Sequence, residues 1–147
     1  MIQIKEVTDN KKQYLDLLLL ADEQEDMIDR YLTQGTMYIL YDKDVIGECV
    51  VLEEDDILEI KNIAIHPRYQ GYGYGKMLID FLVNTYKNQY TYIQVGTGES
   101  PLTIPFYQKC GFEYSHRIEN FFTDYYDHPI YEDGVQLRDM IYLKRKL

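Results

Sequence analysis

Between Ile57 and Tyr86 the sequence changes its hydrophobic period across a run of glycines. Ile57–Ile65 reads as a strand, stopped by His66-Pro67. Gln70-Gly71-Tyr72-Gly73-Tyr74-Gly75 follows, and Lys76–Tyr86 then carries Met77, Leu78, Phe81, Leu82 and Tyr86 at helical spacing. A strand, a glycine loop and a helix in that order constrain the fold more than any other feature. Glycines let the backbone turn its N–H groups toward a ligand and remove side chains that would block its approach. The helix adds unpaired N–H groups and the positive end of its dipole, so the unit predicts an anion site suited to a phosphate or pyrophosphate. It is not a dinucleotide fingerprint: from Gly71 the third glycine would fall on Lys76, and from Gly73 on Leu78. It is not a P-loop either, because Gln70 and Met77 occupy the places of the first glycine and the hydroxyl residue. What remains is Q-x-x-G-x-G.

The chain has 147 residues, which predicts a single domain over 1–147 that needs no metal or disulfide to hold its core. Cys49 and Cys110 are too few for a disulfide framework, and neither they nor His66, His116 and His128 have zinc-site spacing. The longest apolar run, Leu17–Ala21, is too short to span a membrane. Met1–Glu6 does not read as an export signal, so a cytoplasmic setting is expected. Asp and Glu number 25 against 15 Lys and Arg, a net charge of −10. That disfavours nucleic acid, whose phosphates call for clustered cations, and favours cationic partners such as amines. Five acids lie in Asp22–Asp29, four in Glu53–Asp56 and five in Ile118–Gln136.

Along the chain, Ile2–Val7 alternates as a strand, Lys11–Ala21 reads as a Leu-rich helix, and Met27, Ile28, Tyr31 and Leu32 form one helical face before Gly35. Met37–Tyr41 and Val45–Leu52 form a hairpin about Asp42-Lys43-Asp44. After the central unit come a strand at Thr91–Val95 broken by Gly96-Thr97-Gly98, a short helix stopped by Gly111, a strand at Phe112–Arg117 and a last one at Asp139–Lys144. The order βααβββαβαββ predicts a mixed α/β domain with an antiparallel front and a helical crossover in the middle.

With these elements placed, Asn62-Ile63-Ala64-Ile65-His66-Pro67, then Gln70-x-x-Gly73-x-Gly75 and an amphipathic helix, resembles the acetyl-CoA-binding motif of the GNAT acyltransferase superfamily. Phe106-Tyr107-Gln108-Lys109-Cys110-Gly111-Phe112 resembles its second signature, Tyr-x-Lys-x-Gly-Phe. The resemblance covers essentially the whole chain. It implies a GNAT-like α/β fold, a mostly antiparallel sheet with splayed central strands flanked by helices, and acetyl-CoA as cosubstrate with no metal.

By the same resemblance, backbone groups of Ile63, Ala64 and Ile65 bond the pantetheine arm and polarise the thioester carbonyl. The loop Gln70, Gly71, Tyr72, Gly73, Tyr74, Gly75 and Lys76 holds the pyrophosphate, and Tyr107 protonates the departing thiolate. The chemistry is sound on its own terms. A backbone donor stabilises the oxyanion, and a phenol with a reference pKa of about 10 can protonate a thiolate whose acid lies near 8.5. The acceptor amine must lose a proton before it attacks. Glu59, in Glu59-Ile60-Lys61-Asn62-Ile63-Ala64-Ile65, matches the context of the base in the histone-acetylating members, the plain alternative being an ion pair with Lys61. Glu48, Asp124 and His128 are reserve bases. Two positions depart from the family. Ser100 replaces an Asn that contacts the pantetheine arm, and Thr103 replaces an Ala. Pro105 would break a helix running from Pro101, so the helix starts later with Thr103 as its cap, or is kinked.

Ile118–Gln136 has no counterpart in the minimal fold. It carries five aromatic residues and no Lys or Arg. Either it lines an acceptor pocket for a cationic amine through Asp124, Tyr125, Tyr126 and Asp127, or it packs against a second copy in a homodimer. The expected function is transfer of an acetyl group from acetyl-CoA to a primary amine by direct attack, with a small cationic molecule as acceptor. The alternatives are acetylation of a protein lysine or N-terminus, and a non-catalytic acyl-CoA-sensing module.

Overall fold

The computed structural model describes Met1–Leu147. Nine strands form in chain order: β1 (Gln3–Val7), β2 (Thr36–Tyr41), β3 (Val45–Glu54), β4 (Ile57–Ile65), β5 (Tyr92–Gly98), β6 (Glu113–Ile118), β7 (Tyr131–Glu132), β8 (Val135–Gln136) and β9 (Met140–Lys146). Five α-helices join them: α1 (Leu15–Ala21), α2 (Glu25–Ile28), α3 (Tyr74–Tyr86), α4 (Ile104–Lys109) and α5 (Phe121–Tyr125). Seven strands make one sheet in the order β1-β2-β3-β4-β5-β9-β6, and β7-β8 is a separate hairpin. Every pairing in the large sheet is antiparallel except β4 with β5. Those two are joined through α3, since parallel neighbours need a crossover connection. No helix is long and apolar enough to cross a membrane.

The two faces of the sheet bury different helices. Leu78, Ile79, Leu82 and Tyr86 of α3 pack with Leu58, Ile60, Cys49 and Val51. On the other face Leu18 and Ile28 pack with Tyr31, Leu32, Ile39 and Val50. Full burial of each Leu- or Ile-sized side chain contributes about 1.5–3 kcal/mol. Lys11–Tyr14 forms a 3-10 turn, so the Leu-rich helix is α-helical only from Leu15.

β4 is irregular. Val51 stands opposite Ile60 and Val50 opposite Asn62, which leaves Lys61 as the extra residue of a β-bulge. A regular strand would send Ile60 and Asn62 to the same face. The bulge sends Ile60 under α3 and Asn62 to α1, where its side chain bonds the Leu18 carbonyl. β4 and β5 pair only from Ile57–Tyr92 to Ile60–Val95. Beyond that point the strands part, and the edge of β4 that faces β5 has no strand partner.

β5 does not end at the glycines. It runs through Gly96, Thr97 and Gly98, which pair with Tyr142, Ile141 and Met140 of β9. The glycines serve close packing there: a Cβ on Gly98 would meet Leu137 Cδ1 at 2.5 Å. α4 begins after Thr103 with Pro105 in its first turn, where a missing N–H costs nothing.

Ile118–Gln136 folds onto its own chain. Phe122, Ile130 and Leu137 form a small buried cluster. Tyr126 and Asp127 bond Asp22 and Gln24, and His128 bonds Glu23, so the segment is tied to the turn between α1 and α2.

Candidate active site

Where β4 and β5 part, a cleft of about 800 Å³ opens. One wall is the unpartnered edge of β4, including Ile63, Ala64 and Ile65. One end is the glycine loop with Gln70, Gly71, Gly73, Tyr74, Gly75 and Lys76. Gly71 and Gly73 both have φ of +86° with open space beyond the Cα, so conformation selects glycine there. Gly75 is selected by space: its Cβ would lie 3.0 Å from Phe106 of α4. Gln70 ties the loop to β4 by donating to the Ile65 carbonyl at 3.0 Å. Lys76 pairs with Asp80 one turn along α3, at 2.8 Å.

Tyr107 lines the cleft. Its ring is held edge-on by Phe106 and Phe112. Its hydroxyl makes no hydrogen bond to the protein, and burial pushes the phenol well above its ordinary value, so it is held protonated. Thr103 also lines the cleft, its hydroxyl 2.7 Å from that of Thr97 on β5.

Ser100 and Tyr72, expected on the cofactor, are not in the cleft wall. Ser100 is buried, donating to Glu132 at 2.9 Å and accepting from the Leu102 N–H, so its hydroxyl is used in holding the turn before α4. Tyr72 is 73% exposed and does not line the cleft.

Glu59 is likewise outside the cleft. Its carboxylate accepts from Lys61 at 2.8 Å and from Gln94 at 2.8 Å, the ion pair that was the plain alternative to a catalytic base. It stands on the strand segment where β4 and β5 are still paired, before the opening begins. The reserve bases do not enter either: Glu48 is fully buried behind the wall, Asp124 is exposed on α5, and His128 sits between Asp127 and Glu23.

Of the four acceptor residues expected in the insertion, only Tyr126 lines the cleft. Asp124 and Tyr125 are exposed, with Tyr125 under the Arg30 guanidinium, and Asp127 pairs with His128 at the surface. The carboxylates that do reach this end are Asp22, Glu23 and Glu132, from the α1–α2 turn and from β7. In the sequence the first two are only members of the acidic run Asp22–Asp29. Asp22 accepts from Tyr126 at 2.7 Å and from Tyr31 at 3.2 Å. Burial raises its carboxyl above the ordinary value, and the two phenols hold it partly down.

Residues 33–114 match the family model for the acetyltransferase (GNAT) domain, more than half of the chain. The chain belongs to the GNAT acetyltransferase family. Among relatives, it is 37% identical over 146 residues to an uncharacterized N-acetyltransferase, YvbK, of Bacillus subtilis, covering 97% of this chain and 93% of that one. A GNAT acetyltransferase of Elizabethkingia anophelis, solved with acetyl-CoA bound, superposes with a TM-score of 0.93 at 39% identity, covering 99% of this chain and 98% of that one. A Bacillus subtilis acetyltransferase solved with CoA gives 0.90 at 35% identity over 100% and 99%. This GNAT protein is therefore an acetyltransferase, and the sensing-module alternative gives way.

Proposed function

We propose that this GNAT enzyme transfers an acetyl group from acetyl-CoA to a primary amine of a small cationic molecule, by direct attack and with no covalent enzyme intermediate. The unpartnered edge of β4 fits a pantetheine arm, which has amides to pair with strand groups. The glycine loop and the N-terminus of α3 fit a pyrophosphate. Backbone N–H groups of Ile63, Ala64 or Ile65 would stabilise charge on the thioester oxygen as the amine adds to its carbon. The C–S bond then breaks and Tyr107 gives its proton to the leaving sulfur. The surplus proton of the new amide nitrogen passes to the Tyr107 phenolate and restores the phenol.

The observation that carries the acceptor class is the charge at the far end of the cleft. Asp22, Glu23 and Glu132 line it, while the two cations of the wall, Lys61 and Lys76, are each already paired with a carboxylate. The insertion lies over this end and is tied to the α1–α2 turn, which supports a small acceptor over a protein tail that would need an open groove. Asp22 is the carboxylate best suited to take the amine's proton. Low solvation raises a carboxyl and lowers an ammonium, which narrows the gap between them.

The experiment is thiol release from acetyl-CoA with spermidine, glucosamine, an amino-acid amide and a lysine peptide. Turnover with one of the first three and none with the peptide is expected. Efficient acetylation of the peptide alone would overturn the small-acceptor reading.

A further inference from the structure

Three buried polar atoms have no hydrogen-bond partner in the protein: both carboxyl oxygens of Glu48 and Oδ1 of Asn62. Such atoms are costly, and native folds rarely tolerate them without a use. They are neighbours. Asn62 stands opposite Val50 and Glu48 opposite Ala64, so Glu48 and Asn62 are diagonal on one face of the β3–β4 pair, within reach of a long side chain.

The hydrogen-bond directions around them are constrained. The Leu18 carbonyl can only accept, so Asn62 must turn its NH2 toward it, at 3.0 Å. The same NH2 donates to the Tyr31 oxygen at 3.0 Å. Tyr31 is thereby an acceptor from Asn62 and has its own proton free for Asp22, at 3.2 Å. Only a donor for Asn62 Oδ1 is lacking. A carboxyl group supplies one if it keeps its proton, and desolvation with no cation nearby holds Glu48 well above the ordinary carboxyl range.

We propose that Glu48 donates to the unpartnered Asn62 Oδ1 and completes a one-way chain, Glu48 to Asn62 to Tyr31 to Asp22, which holds the Asp22 carboxylate at the acceptor end of the cleft. The proposal rests on the reading of Asp22 as the acceptor-side carboxylate. Glu48, Asn62 and Tyr31 are positioning residues, each acting through the next. The bulge at Lys61 is what makes the chain possible, because without it Asn62 would face α3. The other titratable groups facing Asp22 are Tyr126 from the insertion, Lys61 from β4 and its neighbour Glu23.

Carboxyl-carbon NMR titration of the whole protein tests this without any amine. In the wild type the Glu48 signal should sit at its protonated position at neutral pH. In Glu48→Leu, Asn62 Oδ1 loses its donor and the amide is held less firmly against Tyr31, so the Tyr31 proton is shared less with Asp22 and the Asp22 midpoint should rise by roughly one unit, a tenfold change in proton affinity. Glu48→Gln still offers an N–H donor and should return the midpoint to the wild-type value. An ionised Glu48 at neutral pH, or an Asp22 midpoint that is the same in Glu48→Leu and wild type, would overturn the chain. An amine panel without turnover would instead remove the acceptor reading and leave these titrations standing.

Discussion

At the scale of single residues, Tyr107 and Glu48 show two uses of the same physical effect. Burial favours the neutral form of an acid. For Tyr107 this keeps a proton available beside the cleft. For Glu48 it keeps a donor inside the sheet. Tyr107→Phe should lower turnover by about 10²–10⁴, the range of a general acid, while leaving acetyl-CoA affinity unchanged by calorimetry. Equal turnover in mutant and wild type would remove Tyr107 from the reaction. Glu48 also has a consequence for stability. Its folded pKa lies well above the ordinary value of 4.5 that applies in the unfolded chain. Between those two values the folded state binds more protons, so this group's contribution to stability falls as pH rises above about 4.5. Glu48→Gln should therefore raise the denaturation midpoint at neutral pH and flatten its fall with pH. A lower midpoint would show that the carboxyl is ionised in the folded protein and held by a partner.

At the scale of elements, the glycine loop and β5 use glycine for different reasons. Gly73 holds the cap of α3 at φ +86° with nothing beside it, so Gly73→Ala meets no clash but must adopt a left-handed conformation costing about 1–2 kcal/mol. Its expected effects are a thermal midpoint a few degrees lower and weaker acetyl-CoA binding, since the loop N–H groups would turn aside. Gly98 has an ordinary φ but no room, so Gly98→Ala should destabilise by about 1–3 kcal/mol through crowding against Leu137, read by urea denaturation. The hairpin β7–β8 has a local signal of its own inside the segment otherwise read as an irregular insertion. Asp133-Gly134, with φ of +51° and +75°, joins two strands in the two-residue turn this dipeptide favours. That hairpin brings Glu132 to the cleft and gives Ser100 its partner.

At the scale of the whole molecule, the proposed acceptor end is assembled from segments about a hundred residues apart, Asp22–Gln24 and Tyr126–His128. Phe122, Ile130 and Leu137 are the only buried apolar side chains of the insertion's cluster, so its attachment rests on few contacts. Phe122→Ala should release this segment, seen as faster backbone hydrogen exchange across 118–136, with protection of α3 and β4 unchanged. Uniform loss of protection would mean that the segment folds as one unit with the sheet.

The division between what the sequence determined and what the tertiary structure decided follows from range. The period change after Ile65, the glycine loop and the Tyr107 segment are local patterns, each set by backbone conformation and one buried face. They specified the fold class, the family resemblance and the residues of β4, the glycine loop and α4 that line the cleft. The carboxylate-lined side of the cleft depended on register and on contacts across the chain. One extra residue at Lys61 moves Asn62 to the opposite face, and no pattern in Ile57–Ile65 marks it, because alternation looks continuous through the bulge. Glu59 matched the context of a family base, yet it stands where β4 is still paired to β5, and its charge is met by Lys61 and Gln94. Asp22 lay in an acidic run with nothing local to set it apart. Only packing, by bringing Tyr31 and Tyr126 to its two oxygens and the parted strands beside it, set it apart among the carboxylates of the cleft.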